Sequence, residues 1–157
     1  MENAISITVL AENTAGHVDG VLAEHGYSLY VNYRGLKFLF DTGQGGVLIN
    51  NASKLGKNLK DIRFLILSHG HYDHSGGIED LLRIRSTPLD IYTHPDVFSE
   101  RYYSKKGSLI YAGIRNNRKF LESIGANFIH NEAPVKIQDG VWVTGKIPRS
   151  EERRVGK

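Results

Sequence analysis

Residues Leu67 to Gly77 read LSHGHYDHSGG and place His69, His71, Asp73 and His74 within six positions. Imidazole and carboxylate donors without sulfur suit zinc, and also iron or manganese. In an extended segment alternate residues point the same way, so His69 and His71 can share one ion. Asp73 and His74 can turn toward a second point nearby. Two ions about 3.5–4 Å apart clamp an oxygen-rich substrate, and a water bound to such an ion ionises near pH 7 rather than about 15.7. Asp73 is therefore both a candidate ligand and the candidate catalytic carboxylate. The plainer reading is a polar loop that happens to carry histidines. Three of them and an aspartate directly after the apolar run Phe64–Leu67 argue against it.

Other positions carry weaker signals. Asp41 in FDTG is either a turn former with Thr42 or an acceptor that orients a metal-binding histidine. His94 either caps the helix expected after it or belongs to the site. His25, just before a predicted strand, is a candidate for the mouth of the site. His17 and His130 read as solvated. The tyrosines at 27, 30, 33, 102, 103 and 111 read as core or interface, and Trp142, between Val141 and Val143, as packing. Gly76 and Gly77 are expected to turn the chain sharply and open a helix whose N-terminus favours an anion.

The elements that must position these groups follow from periodicity. Ile5–Leu10, Tyr27–Tyr33 and Leu36–Phe40 read as strands, with a tight turn at Arg34-Gly35. Apolar residues at 47, 48, 52 and 55 predict a helix that stops at Gly56. Phe64–Leu67 and Leu89–His94 read as buried strands, with a helix from Gly76 to Arg85 between them. Pro95 at a first helical position predicts a short helix through Tyr103, and Ser104–Gly113 reads as loop. A helix closed by Gly125 precedes three short strands. Strands, then β-α-β-α, then strands describe an α/β chain: a mixed sheet with helices on one face. Asp41, the histidine cluster and His94 all fall at C-terminal strand ends, where such proteins gather their ligand-binding loops.

The bulk properties narrow the function classes. The chain has 157 residues, no cysteine and a formal charge of +3. Thiolate ligands and disulfides are excluded, and a cytoplasmic location is expected. Neither a leader peptide nor a run of about 18 apolar residues is visible, so no membrane association is expected. The last nine residues, RSEERRVGK, carry +2 of the charge, leaving +1 for the rest. With no basic stripe in that remainder, no nucleic-acid partner is expected.

HGHYDH resembles the HxHxDH signature of the metallo-β-lactamase superfamily, and LFDTG resembles its upstream aspartate-bearing strand end. EHGYSLYV, KFLFDTGQGGVLINNASKLG, IYTHPDVFSERYY and VWVTGKIPR are similar to the branch of 7,8-dihydropterin-6-yl-methyl-4-(β-D-ribofuranosyl)aminobenzene-5′-phosphate synthase. The resemblance implies an αβ/βα sandwich with a site for two divalent ions, zinc first and manganese or iron as alternatives. It implies that His69 and His71 hold one ion, that Asp73 and His74 hold the other, and that Asp41 orients a ligand. It further implies a small-molecule substrate, phosphorylated or pterin-like, and either hydrolysis of an ester, phosphoester or lactone or transfer as in the synthase. Oxygen-reducing or sulfur-handling di-iron relatives use the same motif, and visible absorbance from iron would mark that case.

The family draws three further ligands from its second half. After His94 only His130 remains here, outside the motif that carries the next histidine, so residues 1–148 read as the N-terminal αβ half of the fold. RSEERRVGK does not continue the pattern and matches the translation of a sequencing-library adapter. Residues 149–157 are accordingly expected to be a non-native tail. The 157-residue chain alone is then expected to be an inactive half-domain, with the oligomeric state unassigned.

Overall fold

The computed structural model describes residues 5–147, and the expected non-native tail at 149–157 lies outside them. The elements are β1 (Ile5–Ala11), β2 (Ser28–Tyr33), β3 (Leu36–Phe40), α1 (Leu48–Lys54), β4 (Phe64–Ile66), α2 (Tyr72–Ser75) and α3 (Ile78–Arg83). They continue with β5 (Leu89–Thr93), β6 (Tyr102–Lys105), β7 (Ser108–Tyr111), α4 (Arg118–Ser123), β8 (Ala126–His130), β9 (Val135–Gln138) and β10 (Val141–Val143). Six strands form one sheet in the order β1-β2-β3-β4-β5-β8. β1, β2 and β3 run antiparallel, and β3, β4, β5 and β8 run parallel. This is the mixed α/β arrangement expected from the sequence.

Local chemistry explains the main turns. Arg34 (φ 50°) and Gly35 (φ 85°) both take the left-handed region, the signature of the two-residue hairpin turn whose twist matches its strands. Asn117 caps α4 by accepting from the Phe120 N–H at 2.9 Å, and Gly125 (φ 109°) closes it.

Alternation along β3 splits its side chains between two cores. Leu39 joins Leu10, Leu65 and Ile91 beneath Leu48, Ile78, Leu81 and Leu121 of the helices. Phe38, on the opposite face, stacks on Phe64 with ring centroids 4.8 Å apart and packs with Val31 and Val141. The β9–β10 hairpin covers only part of this second face. Ile7 remains 56% exposed and Trp142 60% exposed, so Trp142 is not the packing residue the sequence suggests. A cleft of about 470 Å³ runs along this face between Phe40, Tyr92 and Trp142.

One region departs from expectation. The helix predicted from Pro95 to Tyr103 is a single 3-10 turn, Pro95–Phe98, and the supposed loop after it is a hairpin of β6 and β7. Lys106 (φ 51°) and Gly107 (φ 81°) form its two-residue turn, and the aromatic and β-branched residues Tyr102, Tyr103, Ile110 and Tyr111 suit strands. Tyr102, Tyr103 and Tyr111 are 52%, 42% and 43% exposed, so they are not core. Tyr30, by contrast, is buried as expected.

Candidate metal centre

The site lies where β3 and β4 end side by side. Asp41 leaves β3 with φ 57°, a left-handed conformation that aspartate tolerates better than most residues, and its N–H donates to the Ile66 carbonyl at 2.9 Å. Its side chain is fully buried, which is costly for a carboxylate unless every oxygen is met. Oδ1 accepts from the Ser68 N–H at 2.8 Å. Oδ2 accepts from the Ser68 hydroxyl at 2.7 Å and lies 2.7 Å from His74 Nδ1. The buried carboxylate thus fixes the ring of His74 and leaves its Nε2 facing outward, 3.6 Å from Asp73 Oδ2.

The other histidines extend this network. His69 Nδ1 is 2.9 Å from Ser68 Oγ, and His69 Nε2 is 2.8 Å from His71 Nδ1. A consistent proton assignment follows. Ser68 donates to Asp41 and accepts from His69 Nδ1–H, so His69 Nε2 carries a lone pair and accepts from His71 Nδ1–H. Burial holds the His69 imidazole below the ordinary histidine pKa, with the neighbouring His74 and His71 adding to the effect. His74 is pushed the other way, chiefly by its hydrogen bond to Asp41, against the effect of burial.

The structure therefore draws His69, His71, Asp73, His74 and Asp41 into one cluster. His25 joins it: its Nε2 is 3.2 Å from Asp73 Oδ2. His94 does not. Its Nδ1 accepts from the Asp96 N–H at 3.1 Å, which is the helix-cap reading, while its buried Nε2 has no hydrogen-bond partner. His17 and His130 are exposed, as expected.

Gly76 and Gly77 serve close approach rather than a sharp turn. Their φ angles are −65° and −86°, open to any residue. A side chain on Gly76 would strike the Gln44 carbonyl, and one on Gly77 the Thr42 carbonyl. At the N-terminus of α3, which the sequence reads as favouring an anion, the Gly77 N–H donates to Thr42 Oγ1 at 3.1 Å. Two residues with no advance signal also shape the site. Ser68 links Asp41 to His69. The Glu24 carboxylate accepts from the N–H groups of Gln44, Gly45 and Gly46 at 2.9, 3.2 and 2.9 Å, pinning the loop after Asp41. These contacts join segments about twenty residues apart or through backbone, so no local pattern announces them.

Whether this cluster suits a divalent ion can be tested on its geometry. Among the described residues no three His, Asp or Glu side chains stand in metal-holding array. The donors themselves are suitable: three imidazoles and a carboxylate, one imidazole braced by a buried aspartate. Tetrahedral zinc with bonds of about 2.0–2.1 Å sets neighbouring ligand nitrogens about 3.3 Å apart. His69 Nε2 and His71 Nδ1, at 2.8 Å, converge within about half an ångström of that spacing, with one shared proton between them. The donor chemistry fits the ion once His71 carries that proton on Nε2 instead.

Residues 22–145 match the family model of the metallo-beta-lactamase superfamily, and the chain belongs to that superfamily. Its members generally bind divalent metals. Within it, the chain is 29% identical to 7,8-dihydropterin-6-methyl-4-(beta-D-ribofuranosyl)-aminobenzene-5'-phosphate synthase of Methanocaldococcus jannaschii, over 94% of this chain and 52% of the relative. It is similar to a solved metal-dependent hydrolase of the beta-lactamase superfamily, with 27% identity and a TM-score of 0.63, covering 87% of this chain and 46% of that one. A diphosphatase of the PhnP family shares the fold at 18% identity and a TM-score of 0.53, over 85% of this chain and 53% of its own. The chain spans about half the length of the curated relatives it matches. No helix among the described residues is long and apolar enough to cross a membrane.

Proposed function

We propose that the protein to which this chain belongs is a metal-dependent hydrolase of small-molecule esters, phosphoesters or lactones. Two divalent ions, zinc first, are held by His69 with His71 and by Asp73 with His74. The observation that carries this reading is the Asp41 carboxylate 2.7 Å from His74 Nδ1, beside the converging His69–His71 pair. A buried carboxylate that both meets Ser68 and aims one imidazole suits a braced metal ligand better than a bare solvated loop.

Divalent ions at these residues would supply Lewis-acid polarisation of the substrate oxygen and a water ionised near neutral pH. The chain's own residues do the rest. Asp41 keeps the His74 proton on Nδ1 and so keeps Nε2 available as a donor. Ser68 does the same for His69 by accepting from Nδ1. Asp73 supplies the negative charge that offsets a cation.

The substrate is read as phosphorylated or pterin-like from the relative in M. jannaschii, and that relative also favours a second reading. Likeness to a synthase along 94% of this chain points to transfer that joins a pterin to an aminobenzene ribosyl phosphate. Product analysis of the full-length protein with zinc or manganese separates the two. Release of acid or alcohol from a panel of phosphodiesters, esters and lactones, lost in His71→Ala, supports hydrolysis. A joined pterin product with no hydrolysis of the panel supports transfer.

A further inference from the structure

We propose that His25 is a positioning residue for Asp73, bracing its carboxylate so that it is aimed at the ion shared with His74. This rests on the metal-site reading above and adds a residue from outside the motif. The Asp73 carboxylate stands near the start of a four-residue helix, and its Oδ2 faces His74 Nε2 at 3.6 Å and His25 Nε2 at 3.2 Å. Without a partner on the His25 side it is free to rotate about its own bonds. The opposite edge of the His25 ring is held as well, with Nδ1 3.0 Å from Asn13 Oδ1. The imidazole is therefore fixed between Asn13 and Asp73.

The backbone around His25 is anchored independently of its side chain. Tyr27 N–H donates to the Asp73 carbonyl at 3.2 Å. Gly26 sits at φ 136° against the same carbonyl, where any side chain would collide. Glu24 grips the 44–46 backbone. The loop is thus built to bring residue 25 to Asp73, yet the His25 side chain is 65% exposed and fills no core. What it contributes is its contact with the carboxylate.

Cobalt(II) titration of the full-length protein, read by visible absorption and calorimetry, tests this with His25→Leu, His25→Gln and Asn13→Ala. Losing an outer partner of a ligand weakens metal binding about 10- to 100-fold. His25→Leu is expected to show that loss with an altered cobalt spectrum, while thermal unfolding of the metal-free form is unchanged. His25→Gln, which keeps an N–H at similar reach, is expected to recover most of the affinity and the original spectrum. Asn13→Ala, with His25 still present, is expected to lose a few-fold. Wild-type-like binding by His25→Leu overturns the proposal, as does His25→Gln binding no better than His25→Leu. Should His25→Leu fail to fold, the Gln and Asn13 variants decide: unchanged affinity in Asn13→Ala together with weak binding in His25→Gln overturns it. A full-length wild-type protein that takes up no cobalt removes the metal reading itself, a result distinct from a silent His25.

Discussion

Asp41 concentrates more of the site's energetics than any single ligand. It is buried, it accepts hydrogen bonds from Ser68 at both oxygens, and it aims His74. Asp41→Asn tolerates the same backbone but places an amide where one acceptor stood. It is expected to weaken metal binding about 10- to 100-fold, as loss of an outer partner does. Asp41→Ala also strands the Ser68 N–H, and urea unfolding is expected to show a loss of about 1–3 kcal/mol. In the metal-free chain, NMR titration is expected to place His69 below and His74 above the ordinary histidine range. The sign for stability follows. The raised His74 contributes fully at pH below its unfolded value, and that contribution is lost as pH rises through its folded value. The four motif residues were legible in the sequence because their chemistry is compressed into six positions. Ser68 and Glu24 were not, because what matters about them is a contact with distant backbone or a buried carboxylate.

At the scale of elements, the site is a packing problem between the loop after β3 and the turn of α2 into α3. Gly76 and Gly77 lie directly against the carbonyls of Gln44 and Thr42, and His74 O accepts from the Thr42 N–H at 2.8 Å. Gly76→Ala is expected to push these loops apart at a cost of about 1–3 kcal/mol. Chemical denaturation measures that cost, and metal affinity should fall in parallel because His74 rides on the same turn. The strands were legible wherever apolar residues alternated or ran together, as in β1 to β5. The 95–111 region misled because Pro95 promised a helix that stops after one turn. Its hairpin depends on a Lys-Gly turn with both φ angles positive, a weaker signal than Asn-Gly.

For the molecule as a whole, the sheet's second face decides behaviour in solution. Ile5, Ile7 and Val9 are 50%, 56% and 45% exposed along β1, and the β9–β10 hairpin leaves the adjoining cleft open. An exposed apolar face of this kind favours association. Sedimentation of the 157-residue chain is expected to show concentration-dependent self-association, reduced by Ile7→Glu. A monodisperse monomer over the micromolar range would contradict this. Metal binding is a whole-molecule property as well, since an ion that binds only the folded chain stabilises it by about 2.7 kcal/mol at a hundredfold excess over Kd.

The central claim is that the His69–His74 cluster is a metal centre. Zinc calorimetry of the full-length protein tests it most directly. The predicted result is saturable binding that disappears in His69→Ala/His71→Ala. No saturable binding, or equal binding by the double variant, would contradict it.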